Sequence, residues 1–117
     1  MRELTMLERP AECCVPIAEA GLSPEEAEIT ASLFKALSDP NRVRIVNRLA
    51  TGSSPACVCD ITALLDVSQP TVSFHLKKLV ASGLLEREQR GVWAYYSVNR
   101  RAAERLSGVF RFERGEP

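Results

Sequence analysis

The stretch "SQPTVSFHLKKLVASG" at residues 68–83 runs directly into "LLEREQRGVWAYYSV" at 84–98, and the hydrophobic period changes at the join. In the first stretch Val72, Leu76, Leu79 and Val80 fall at helical spacing and form one apolar stripe. Ser68 is a helix cap, Pro70 suits the first turn and Gly83 is a stop signal. The remaining positions are mostly polar: Gln69, Thr71, Ser73, His75 and Lys77. The second stretch partly alternates, with Gln89-Arg90-Gly91 as its turn, which predicts a β-hairpin over about 84–98. Trp93, Tyr95 and Tyr96 are residues that strands favour.

The elements before this join narrow the fold. "SPEEAEITASLFKALSD" opens with Ser23, Pro24 and Glu26 in the spacing of a capping box, predicting a helix over about 24–37. Ala27, Ala31, Phe34 and Leu37 fall near helical spacing on it. Asp39 and Pro40 start a second helix, with Ile45, Val46 and Leu49 inside and Arg44 and Arg48 outside; it ends at Thr51-Gly52. "SSP" reads as a loop, and "VCDITALLD" as a short helix over about 58–65. A last helix, "RRAAERLSGVFRF", has Ala103, Leu106, Val109 and Phe110 on one face. A short helix, a turn and a capped helix make a helix-turn-helix, and a hairpin directly after it is a wing. The expected fold is mainly α with a β-hairpin wing, a winged helix-turn-helix over 23–112. An arm over 1–22, punctuated by Pro10, Pro16 and Gly21, precedes it, and a short tail over 113–117 follows.

Composition bounds the function. A chain of 117 residues suffices for one domain with its own core. No run approaches the roughly 20 apolar residues that span a bilayer, and "MRELTMLERP" has no apolar signal region, so a cytoplasmic protein without a membrane partner is expected. Net charge is zero but uneven: residues 1–39 hold three basic and eight acidic side chains, residues 40–117 twelve basic and seven acidic. That asymmetry weakens the objection that a near-neutral chain raises against nucleic-acid binding.

A helix entering the major groove presents its N-terminal side chains to base edges. Here these are Gln69, Thr71 and Ser73, with Phe74 and His75 beside them. Gln pairs bidentately with adenine, and Ser and Thr bond several base edges. Lys77 and Lys78 lie nearer the phosphates, and at the hairpin tip Arg90 can reach a phosphate or the minor groove; phosphate contacts position the protein without reading sequence. A winged helix used only for protein contacts is the bland alternative. His75, the single histidine, can equally bond a neighbour, and one imidazole is a poor metal site.

"LFKALSDPNRVRIVNRL" and "CVCDITALLDVSQPTVSFHLKKLVASGLLEREQRGVWAYYSV" together resemble the ArsR/SmtB family of metal-responsive winged-helix repressors, over about residues 30–98. The resemblance implies a homodimer, with the first and last helices at its interface. It implies binding to double-stranded operator DNA, and release on metal binding that derepresses a resistance operon. The zinc-type site of the family needs histidines on the last helix, and "RRAAERLSGVFRF" has none. The "CVCD" motif is present as Cys57 and Cys59, but Thr62 stands where fuller arsenic motifs carry a third cysteine. Some relatives complete such a site from an N-terminal arm, in some of them with an adjacent pair like Cys13-Cys14, reaching from one subunit to the other.

Four cysteines in two close pairs suit a soft metal or redox site better than scattered core filling. Trivalent arsenic or antimony prefers three thiolates in a pyramid. Cys13 and Cys14 with Cys57 or Cys59 would supply them, and cadmium or lead could take three or all four. Cys59, further into the short helix, is the likelier of its pair to fill core. A thiol redox switch on the same repressor is the other reading. A thiol enzyme is disfavoured, since no C-x-x-C motif sits on a thioredoxin-like pattern. Thiolate ligation releases protons, so metalloid affinity should fall at low pH.

Overall fold

The computed structural model describes residues 21–52 and 54–111. The arm, apart from Gly21 and Leu22, and the tail lie outside the described residues, and so do Cys13 and Cys14. Five helices and three strands follow in the order α1 (Pro24–Ala36), α2 (Pro40–Thr51), β1 (Ala56–Cys57), α3 (Val58–Thr62), α4 (Gln69–Ser82), β2 (Leu85–Arg90), β3 (Trp93–Val98), α5 (Arg100–Gly108). The architecture is the expected winged helix-turn-helix.

The boundaries are written by caps. Ser23 and Glu26 form the reciprocal capping box at α1, at 3.1 and 2.9 Å. Asp39 Oδ1 accepts from the amides of Asn41 and Arg42 at the start of α2. Asn99 Oδ1 accepts from the Ala102 amide at α5. Gly83 ends α4 with φ +89°, a left-handed conformation that glycine adopts without a Cβ penalty.

The core joins every helix of the reading motif. Leu33 and Ala36 of α1, Ile45 and Leu49 of α2, Ile61 of α3, and Val72, Leu76 and Leu79 of α4 are buried together, with Leu65, Leu84 and Leu85. The buried stripe of α4 is the one its spacing predicts, with Val80 half-buried at its margin.

Five details depart from expectation, one of them that the last helix stops at Gly108, before Val109 and Phe110. On α1 the core face is Thr30, Leu33 and Ala36, with Leu37 half-buried behind it; Ala27, Ala31 and Phe34 are exposed. Thr30 can lie inward because its hydroxyl donates to the Glu26 carbonyl at 2.7 Å, which satisfies the buried polar atom. The helix expected to 65 stops at Thr62. The hairpin turns at Gly91-Val92, because Arg90 pairs with Trp93 in the ladder. Gly91 has φ +64°, as the first position of a primed two-residue turn requires. Finally, part of the expected loop before α3 is strand: β1 pairs antiparallel with β3, Ala56 opposite Tyr96 and Cys57 opposite Tyr95, giving a sheet ordered β1-β3-β2.

Candidate functional site

The outward face of α4 is built by the same spacing that buries its stripe. Gln69, Ser73, Phe74, Lys77 and Lys78 are exposed and Thr71 is half-buried. Ser68 caps the helix, its Oγ accepting from the Thr71 amide at 3.4 Å and lying 3.0 Å from Thr71 Oγ1. Thr71 is therefore partly committed to the cap, while Gln69 and Ser73 are free to present their polar groups outward. Phe74 is 52% exposed, an unusual position for a phenyl ring, and the Lys78 ammonium stands 5.4 Å from its centroid. This arrangement offers hydrogen-bonding groups in the first two turns, an apolar contact at Phe74, and cations behind them.

His75 is a correction. Its side chain belongs to the buried face of α4, with only 6% of the residue exposed, and does not join the polar face. Arg42 Nε donates to His75 Nδ1 at 3.1 Å, and Arg42 Nη1 donates to the Ala36 carbonyl at 3.3 Å. His75 Nε2 lies 3.9 Å from Asp39 Oδ1. The histidine ties α4 to the α1–α2 junction, which fixes the angle at which the reading helix is presented. The sequence signal was available: position 75 is one residue before Leu76 and three after Val72, within the buried arc.

The wing carries Arg90 at the end of β2, with its guanidinium 4.8 Å from the Tyr95 centroid and 3.1 Å from Glu88 Oε1. Arg87, not singled out from sequence, lines a groove between α4 and the wing together with Ser73, Lys77 and Tyr96. Val92, at the tip, is 84% exposed.

The two described thiols lie at the join of β1 and α3, elements that contact the wing strand β3 and the helix α4. Cys57 is the last residue of β1 and the cap position of α3, and it is half-buried; Cys59 is exposed. The expectation that Cys59 fills core is therefore corrected: the inward residues of this turn are Ile61 and, partly, Val58. Asp60 Oδ2 accepts from both the amide and the thiol of Cys57 at 3.4 Å. Thr62, in the place of a third cysteine, donates its hydroxyl to the Val58 carbonyl at 2.7 Å. Among the described residues no group of three or more His, Cys, Asp or Glu side chains converges. The described chain thus offers two thiols, one fewer than a three-thiolate ion takes.

The geometry defines a winged helix-turn-helix DNA-binding protein. The sequence profile of the bacterial regulatory proteins of the arsR family matches residues 39–87. The chain is 39% identical over 88 residues to an arsenical resistance operon repressor from Bacillus subtilis, covering 71% of this chain and 82% of that one. A cadmium resistance transcriptional regulatory protein from Listeria innocua is 35% identical over 81 residues, covering 69% and 67%. Among solved structures, a homodimeric winged helix-turn-helix DNA-binding domain from Mycobacterium bovis superposes with a TM-score of 0.62 at 29% identity, covering 77% and 85%. The chain belongs to the arsR family, and it is a transcription regulator, not an enzyme.

Proposed function

We propose that this metal-responsive transcriptional repressor binds operator DNA as a homodimer and is released when trivalent arsenic or antimony is ligated by its cysteine thiolates. Release would derepress a resistance operon. The observation that carries the reading is the position of Cys57. Its backbone is paired to the wing strand at Tyr95 and its thiol stands at the start of α3, the helix packed against α4. An ion pulling on Cys57 strains both DNA-reading parts at once. Ligation also replaces the bond from the Cys57 thiol to Asp60, one of the two that Asp60 Oδ2 accepts at the start of α3. Only a difference in affinity between two dimer geometries can drive release, and such coupling is typically about 1–3 kcal/mol.

Cys13 and Cys14 complete the ligand set in this reading, with Cys57 as the third thiolate and Cys59 available to a larger ion such as cadmium or lead. Support for a dimer comes from the apolar residues left outside. Leu22, Ile29 and Phe34 on the α1 side and Val109 and Phe110 after α5 are exposed, and the Phe34 and Phe110 rings meet edge-to-face at 6.3 Å. A joint apolar face of this kind marks an interface.

Fluorescence anisotropy of labelled operator under strict reducing conditions tests the reading. Arsenite, antimonite, cadmium, lead and zinc are titrated against wild type and Cys13→Ser, Cys14→Ser, Cys57→Ser and Cys59→Ser. The expected result is release by arsenite and antimonite, lost in the first three variants with DNA affinity kept. Release that needs oxidant and ignores arsenite would establish the redox switch instead. Wild-type behaviour of Cys13→Ser and Cys14→Ser would remove the arm from the site.

A further inference from the structure

We propose that Lys35 of α1 and Arg42 of α2 form with Lys78 a second DNA contact, a crevice that holds a backbone phosphate beside the reading helix. This rests on the DNA-binding reading above and extends it to helices outside the helix-turn-helix. The crevice is lined by Ser32, Lys35, Ala36, Ser38, Arg42 and Lys78, has a volume of about 360 Å³, and contains three cationic side chains and no carboxylate. Among the described residues none of the three has a carboxylate within 4.0 Å. The nearby acid, Asp39, is turned to the amides of α2 and to His75. Arg42 spends Nε on His75 and Nη1 on the Ala36 carbonyl, which holds the guanidinium still and leaves Nη2 for an anion. A guanidinium fixed in this way, with Nη2 free beside two lysines, suits a single phosphate oxygen.

The crevice has a counterpart. Lys77 and Arg87 line the groove on the wing side of α4. Successive helical residues are rotated by about 100°, so Lys77 and Lys78 lie on neighbouring faces of the helix, and both also border Phe74. Ser73 lines the wing-side groove and Phe74 stands beside both lysines, so cationic grooves border the exposed row of α4. The charge segregation of the sequence, basic after residue 39, reaches across to α1 through Lys35 alone among the described residues.

The test is the salt dependence of DNA affinity. The probe is a duplex selected by the wild-type protein from a random-sequence pool. Each phosphate contact contributes about −0.9 to the slope of log K against log salt. The proposed dimer carries two such crevices and so two phosphates, so Lys35→Gln and Lys78→Gln should each lower the slope magnitude by up to about 2, and the double variant by about 2. Lys35→Arg should keep the wild-type slope, and the ranking of altered duplex sequences should not change. Arg42 is left intact because it also holds His75. A wild-type slope in Lys35→Gln overturns the crevice and leaves the recognition helix untouched. A wild-type protein with no salt dependence overturns the DNA-binding reading itself.

Discussion

The proposed reading face and the proposed thiol site are built in opposite ways. The reading face comes from a single helix, α4, whose buried stripe and exposed row are set by one 14-residue segment. Its parts arrive together when the helix forms and docks. The proposed thiol site has Cys57 at the cap of a short helix and Cys59 within it, and in our reading takes its remaining ligands from Cys13 and Cys14, more than forty residues earlier. A contiguous face is rigid before its ligand comes. A site assembled from distant segments is completed by its ligand, and so it can report that ligand's presence.

The rigidity of the reading face is the first thing to break. Leu76 is fully buried at the centre of α4, among residues of the common core. Leu76→Ala should cost about 2–5 kcal/mol of stability, the range for deleting a leucine side chain from a packed core. Chemical denaturation gives the value. A loss below about 1 kcal/mol would mean that α4 docks loosely, and the contrast with the thiol site would fail.

Separability is the next point. Gln69→Ala removes one side chain from the exposed first turn, where a glutamine bidentate to adenine is worth about 1–3 kcal/mol of discrimination. Competition between matched and single-base-altered duplexes should show that loss at one position. The arsenite concentration for half-release should stay within about twofold. If Gln69→Ala shifts metalloid response as strongly as base preference, the two regions are not independent.

The same contrast explains what the sequence displayed. Caps are local, so Ser23, Asp39, Ser68 and Gly83 placed the helix ends to within a few residues. The stripe of α4 was legible because one face is apolar. On α1 two apolar faces compete, and the buried one contains Thr30, whose hydroxyl is satisfied only once the helix exists. β1 is two residues long and gains its identity from Tyr95 and Tyr96, far along the chain. His75 looked polar because its partner, Arg42, is 33 residues away. Family resemblance supplied the meaning of "CVCD"; spacing alone said only that two thiols were close.

The smallest expected effect separates folding from reading at a single residue. Ser68 caps α4 through the Thr71 amide and sits, exposed, at the end of the helix proposed to face DNA. Ser68→Ala removes the cap and should cost about 1 kcal/mol. Ser68→Asp keeps an acceptor at the cap and adds a favourable charge at the helix N-terminus, so stability should stay near wild type. The same carboxylate would stand against the phosphates, and operator affinity should fall further than in Ser68→Ala. Denaturation and anisotropy on the two variants should therefore rank them in opposite orders. Identical ranking in both measurements would mean that the α4 N-terminus does not approach DNA, and that the reading face lies elsewhere on the domain.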